Sequence, residues 1–350
     1  MRIILAKMAK LFFIRKNILK ELRIALKKLI EDRYERGEKV AIKAHLGEYG
    51  NLTYIRPPIL ESIVSQLKEL RLKPFIFDTP SWYKGSRYTL EDYKETARKN
   101  GFCEVTMGCP IIFSDDNFEV KGIKHYERVG VAKELAEVEN MVVVSHVKGH
   151  RDAGFGGAIK NLGMGGVDRK TKEIAHTLSH PVLKGECKLC GACVKVCPNN
   201  AISLEKGEWV LKETRCYGCN ACVYACNFKV LKPKKASLQV FLAEAAACVL
   251  STFSSGKVIY VNVLMDVVTH CDCMPAKAED FMTYRCPDIG ILVGEDICAI
   301  EQASLDLIDM ATNSKNFFLE LNHIDPNHQV KEAEKLGLGK REYELVEVGE

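Results

Sequence analysis

The chain has 350 residues, 47% hydrophobic and 27% charged, a globular composition that excludes a disordered or collagenous chain. With 50 basic and 46 acidic residues the net charge is +4, so nothing points to a nucleic acid. The chain is large enough to fold without disulfide staples, so its 15 cysteines, several at short regular spacings, read as metal ligands in a reducing cytoplasm.

Residues 1–18 are basic and apolar. Their uncharged runs fall far short of a signal-peptide core or a span of about 20 apolar residues, so the segment reads as packed helix and no membrane span is expected. Residues 17–36 carry apolar side chains at helical spacing and stop at Gly37. A strand at 39–46 follows, then a helix opened by Pro57 and running to Leu72. Residues 74–78 (PFIFD) read as a short strand, 89–100 as a helix stopped by Gly101, and 141–147 (MVVVSHV) as a third strand. Alternating strand and helix is the pattern of a parallel sheet covered by helices. After Pro181 the character changes to a cysteine-rich stretch, and from 237 the alternation resumes: helix 237–252, strands 257–265 and 288–293, helix 298–310. The polar tail from 322 holds a strand signal at 343–348 that the sequence does not place. Cys103, Cys109 and Cys248 read as core.

The cysteine-rich stretch contains a repeat. Cys187-x2-Cys190-x2-Cys193-x3-Cys197-Pro198 recurs as Cys216-x2-Cys219-x2-Cys222-x3-Cys226-Asn227, every cysteine shifted by 29 positions. This is the run with which bacterial-type ferredoxins hold [4Fe–4S] clusters, the fourth cysteine of each run serving the other cluster. Cluster I is therefore assigned to Cys187, Cys190, Cys193 and Cys226, and cluster II to Cys216, Cys219, Cys222 and Cys197. A zinc site would use two separated C-x2-C pairs instead. Two such clusters carry single electrons. The expected fold is then α/β, a mainly parallel sheet covered by helices and built from residues 1–182 and 237–350, with a ferredoxin-like insert at 183–236.

Residues 149–166 follow the third strand and hold seven glycines. The run is neither a Walker A loop nor G-x-G-x-x-G, yet glycine-rich backbone at the carboxyl edge of a parallel sheet lets N–H groups approach an anion. Gly154, Gly156, Gly157 and Asn161 are candidate anion-binding residues, with Lys148 supplying charge. Lys160 in the same run and His146 at the strand end are candidate catalytic groups. Lys43 and His45, two apart at the end of the first strand, share one face of it and join that list. Asp78 and Arg87 belong to the same edge. Cys271 and Cys273, with His270 or Cys286, offer three readings: a third metal site, a reactive thiol pair, or small buried side chains.

Residues 43–48 (KAHLGE), 54–57 (YIRP), 77–79 (FDT), 154–165 (GFGGAIKNLGMG), the cysteine repeat, 271–273 (CDC) and 288–292 (DIGIL) together resemble the iron–sulphur centre proteins known as domain of unknown function 362. That resemblance implies an α/β domain carrying a two-cluster ferredoxin, and no particular reaction. A fainter similarity, of 156–160 and His146 to the N-terminal domain of nickel-pincer lactate racemases, implies a cofactor-holding lysine and an acid–base histidine. Three functions follow as expectations. The first is an oxidoreductase that passes electrons from a redox partner protein or low-potential donor to an anionic small molecule at the glycine-rich edge. The second is a non-catalytic electron-transfer subunit or adaptor, and the third a metal- or cluster-handling protein working through Cys271 and Cys273.

Overall fold

In a computed structural model of the protein, which describes residues 8–275 and 286–348, eight strands form one sheet. They are β1 (Ala9–Ile14), β2 (Lys39–Ala44), β3 (Lys73–Asp78), β4 (Ile111–Phe113), β5 (Asn140–His146), β6 (Val258–Leu264), β7 (Gly290–Gly294) and β8 (Tyr343–Glu347). Their order is β8-β1-β7-β6-β5-β2-β3-β4. All run parallel except β7, which is antiparallel to both neighbours. The Ile289 N–H bonds the Leu264 carbonyl, so β7 starts where β6 ends and can only run back.

The central strand β5 reads as a continuous apolar run because both its faces are covered. Val142 and Val144 pack under helices α1 (Ile18–Ile30) and α2 (Pro57–Glu69). Met141 and Val143 pack under α4 (Ala158–Gly165), α6 (Leu238–Leu250) and α7 (Ile297–Thr312), with α3 (Leu90–Lys99) and α5 (Arg169–Leu178) completing the helices used below. Helix α6 is apolar all round and nearly every residue is buried. It lies so close to α4 that a Cβ on Gly163 would sit 2.4 Å from the Leu242 carbonyl oxygen.

The helix expected near the N-terminus is a strand over 9–14, between β7 and β8. Leu11 and Phe13 face one core and Ile14 the other, so apolar residues occupy both faces and erase the period-two signal. The tail supplies β8, in parallel register with β1. Cys109 and Cys248 are buried as expected, whereas Cys103 is part exposed at the start of the short helix Glu104–Met107. No helix among the described residues is long and apolar enough to cross a membrane.

The cysteine-rich stretch leaves and rejoins the rest of the chain at one point, where strands Pro181–Leu183 and Leu231–Pro233 pair antiparallel. Between them the 29-residue repeat is also structural. Short helices Ala192–Lys195 and Ala221–Tyr224 correspond, and left-handed residues recur as Leu189 with Gly218, Gly191 with Asn220, and Asn200 with Lys229.

Candidate functional site

Parallel strands β2, β3 and β5 end at one edge of the sheet, and a crevice of about 540 Å³ opens there. Lys43 near the end of β2, Asp78 at the end of β3 and His146 at the end of β5 come together at its floor. Lys43 Nζ lies 2.8 Å from Asp78 Oδ1 and 2.7 Å from Asn161 Oδ1 on α4, and Tyr93 of α3 donates to the other Asp78 oxygen. Burial alone would raise the Asp78 carboxyl, but Lys43 beside it outweighs that and holds it below the usual range. Burial draws the Lys43 amine down against the pull of Asp78.

A second buried network is centred on Asp272. Its carboxylate is 2.8 Å from His146 Nδ1 and 2.7 Å from Lys148 Nζ, and Lys148 also donates to the Thr53 carbonyl and hydroxyl at 2.7 and 2.6 Å. Burial opposes the charge on Asp272, but His146 and Lys148 override it and lower the carboxyl. On the crevice wall Arg87 Nε pairs with Glu48 Oε2 at 2.9 Å and its Nη2 donates to Tyr83 Oη at 2.7 Å.

Two crevice groups have no such partner. The Lys160 amine lines the crevice without a hydrogen bond or ion pair among the described residues, and burial, with the charge of Arg87 adding to it, brings it down to about 8. His45 accepts the Gly47 N–H on Nδ1 at 3.0 Å, which leaves the proton on Nε2, and that buried atom has no partner among the described residues. Burial keeps the ring neutral. A free N–H and a free amine at the end of one sheet can take an acceptor oxygen of a bound molecule.

The glycine-rich loop divides between packing and the crevice. The first turn of α4 is already occupied by the Glu301 carboxyl group, which accepts from the Ala158 N–H at 2.7 Å and the Ile159 N–H at 3.4 Å. Gly157 is glycine because a Cβ there would meet Glu301 Oε1 at 2.2 Å. Gly154 lies against Ile324 and Pro326 rather than at the crevice, and Lys148 is consumed by Asp272 and Thr53. Gly156, Gly157 and Asn161 do line the crevice floor. Cys271 and Cys273 line it too and are joined as a disulfide, with His150 grouped beside them; Cys286, buried, is not in that group.

The eight repeat cysteines form two groups. Cys197, Cys216, Cys219 and Cys222 surround one small cavity, and Cys187, Cys190, Cys193 and Cys226 the other. The fourth cysteine of each run has crossed to the other group. Backbone N–H groups point at the sulphurs, Ala201 to Cys197 at 3.2 Å and Gly218 to Cys216 at 3.4 Å, as thiolates require. The group containing Cys216 abuts the crevice. Tyr217 forms part of the crevice wall, and its carbonyl accepts from His176 Nδ1 at 2.7 Å. His176 stacks on Trp82 with centroids 4.8 Å apart, and Arg151 lies 5.4 Å over the Tyr217 ring. Gly218 allows this approach, since a Cβ there would be 2.5 Å from the His176 carbonyl oxygen. The group containing Cys187 lies by the surface, beside the exposed side chains of Leu189 and Phe228.

Sequence reasoning missed Trp82, Tyr217 and Lys172 as crevice residues. Lys172 is buried, donates to Thr79 Oγ1 and the Pro80 carbonyl at 2.6 Å each, and is pulled down to about 7 by burial. Nothing in its helical spacing marks it, because only the packing of α5 over the end of β3 brings it there.

Fold and site define a class: an α/β protein with a crevice at the carboxyl edge of its sheet, flanked by a cysteine-rich insert. The chain belongs to the family described as Domain of unknown function (DUF362), which matches residues 40–306. It is 42% identical over 48 residues to the Electron transport protein HydN of Escherichia coli strain K12, a match covering 13% of this chain and 27% of that protein. The chain spans less than a third of the length of the curated relatives it matches. Among solved structures, a Thermotoga maritima protein from a structural genomics consortium is similar with a TM-score of 0.46 at 10% identity, over 85% of this chain and 59% of that one. The lactate racemase apoprotein of Thermoanaerobacterium thermosaccharolyticum is similar with a TM-score of 0.42 at 12% identity, over 87% of this chain and 56% of that one.

Proposed function

We propose that the protein is an iron–sulphur electron-transfer protein of the reducing cytoplasm that delivers electrons to a small anionic molecule bound in the crevice. Cys187, Cys190, Cys193 and Cys226 would hold one [4Fe–4S] cluster, and Cys216, Cys219, Cys222 and Cys197 the second. Eight thiols in two fours with N–H donors aimed at sulphur fit cubanes, and the clusters supply single electrons. One observation carries the reading: Tyr217, the chain neighbour of Cys216, is part of the crevice wall. The outer group, beside Leu189 and Phe228, is where a redox partner protein docks.

The chain's own residues then have defined tasks. Lys160 and the His45 N–H hold the acceptor oxygens of the bound molecule. Lys43 and Asp78 form the polar floor beneath it. Arg87, held by Glu48 and Tyr83, lines that end of the crevice, and His146, held by Asp272, closes the edge against β6.

Anaerobic purification with iron and sulphide analysis, followed by reductive titration watched by electron paramagnetic resonance, tests this. About eight irons per chain and two interacting signals are expected. Zinc in place of iron would overturn the reading and leave a zinc-stabilised binding protein.

A further inference from the structure

The crevice contains a group that the proposed function does not use. Cys271 and Cys273 line it, paired as a disulfide with their Cα atoms 5.3 Å apart. His150 Nε2 lies 3.8 Å from Cys273 Sγ, and these three side chains are grouped closely enough to hold a metal. The hydrogen bonds of His150 argue against metal ligation. Its Nδ1 accepts the N–H groups of Asp152 and Ala153, each at 3.1 Å, so Nδ1 carries the lone pair and Nε2 the hydrogen. A ligating nitrogen would need the reverse. An N–H aimed at sulphur instead stabilises a thiolate there.

The same segment faces the cysteine group of the insert. His150 is followed by Arg151, which lies over the ring of Tyr217, the neighbour of Cys216. Disulfide and insert therefore share one wall of one crevice, and Lys160 lines it beside them.

We propose that Cys271 and Cys273 are a redox-active pair, the first acceptor of the electrons that reach the crevice. The inference rests on the electron-transfer reading above. The S–S bond takes two electrons and two protons and becomes two thiols; one proton comes from the Lys160 ammonium and one from water. The electrons come singly from the two one-electron centres, which a low-potential donor refills. Reoxidation returns the S–S bond and hands the electron pair, with its protons, to the molecule held at His45 and Lys160. The pair thus turns single-electron delivery into a two-electron step.

The experiment uses the full chain, purified anaerobically with its iron. It is titrated coulometrically with reduced methyl viologen, samples are alkylated, and the peptide carrying Cys271 and Cys273 is read by mass spectrometry. The oxidised protein is expected to show an unalkylated, disulfide-bonded peptide, and the reduced protein two labels. The wild type should take up four electrons per chain, and the Cys273→Ser variant, which keeps both cysteine groups, two. A Cys216→Ser variant should leave the peptide oxidised under the same donor. If both resonance signals develop while the peptide stays disulfide-bonded, this inference falls and the electron-transfer reading stands. If no signal develops, the electron-transfer reading itself falls. A third metal that co-purifies with the chain and is lost in Cys273→Ser overturns the redox role in favour of metal binding.

Discussion

Lys160 is the side chain whose chemistry is set most by its surroundings. With its amine brought down to about 8, it is half neutral near pH 8, whereas an exposed lysine near 10.4 is almost fully charged there. Below that pH it is an ammonium and above it a nucleophile. Acetic anhydride labelling read by peptide mass spectrometry should therefore show Lys160 reacting with a midpoint near pH 8. A midpoint shared with the surface lysines would mean that the crevice does not perturb it. Asp272 is the second decisive residue. Asp272→Asn removes a buried carboxylate that pairs with both His146 and Lys148, so urea unfolding should show a loss of about 3–5 kcal/mol. The strand-end residues Lys43, His45, Asp78 and His146 were legible in the sequence, since period two and strand boundaries place them. Asp272 was visible only as a letter between two cysteines; its partners are more than a hundred residues away and meet it through the fold.

At the scale of elements, the glycines of 149–166 serve packing more than ligand binding. Gly157 makes room for Glu301 at the first turn of α4, and Gly163 lets α4 lie against the backbone of α6. Gly157→Ala and Gly163→Ala should each destabilise the protein by about 1–3 kcal/mol in thermal or urea unfolding, because the atoms they strike are a buried carboxylate and a helix carbonyl. The glycine signal was real in the sequence, but its cause was not readable there, since Glu301 comes from a helix at the far end of the chain. Burial also raises the Glu301 carboxyl to about 7. Strand β1 was misread for a related reason: a strand apolar on both faces has no periodicity to separate it from a short buried helix.

For the whole molecule, the crossing of the fourth cysteine ties the two halves of the insert into one unit. Cys197→Ser and Cys216→Ser should each remove about four irons, and the double variant should remove no more, because both serve the same group. Cys197→Ser combined with Cys187→Ser should remove nearly all of the iron. Iron analysis of the purified variants checks this; additive losses for Cys197 and Cys216 would mean that each run serves its own cluster. In the proposed function, the group by the crevice and the group by the surface would be the inner and outer ends for electron flow.

The sequence by itself determined the alternating sheet and helices, the cysteine repeat with its crossed grouping, and the strand-end residues of the crevice. Period, spacing and boundary are short-range order, and the crossing follows from the known way in which such a cysteine run ligates two clusters. Tertiary structure alone decided the reversed β7, the placing of β1 and β8 from the two termini side by side at one end of the sheet, the occupation of the α4 N-terminus by Glu301, and the contact of Tyr217 and His176 that sets the insert against the crevice. These depend on which distant segments bury each other's polar groups, and a single chain read in order holds no local signal for that.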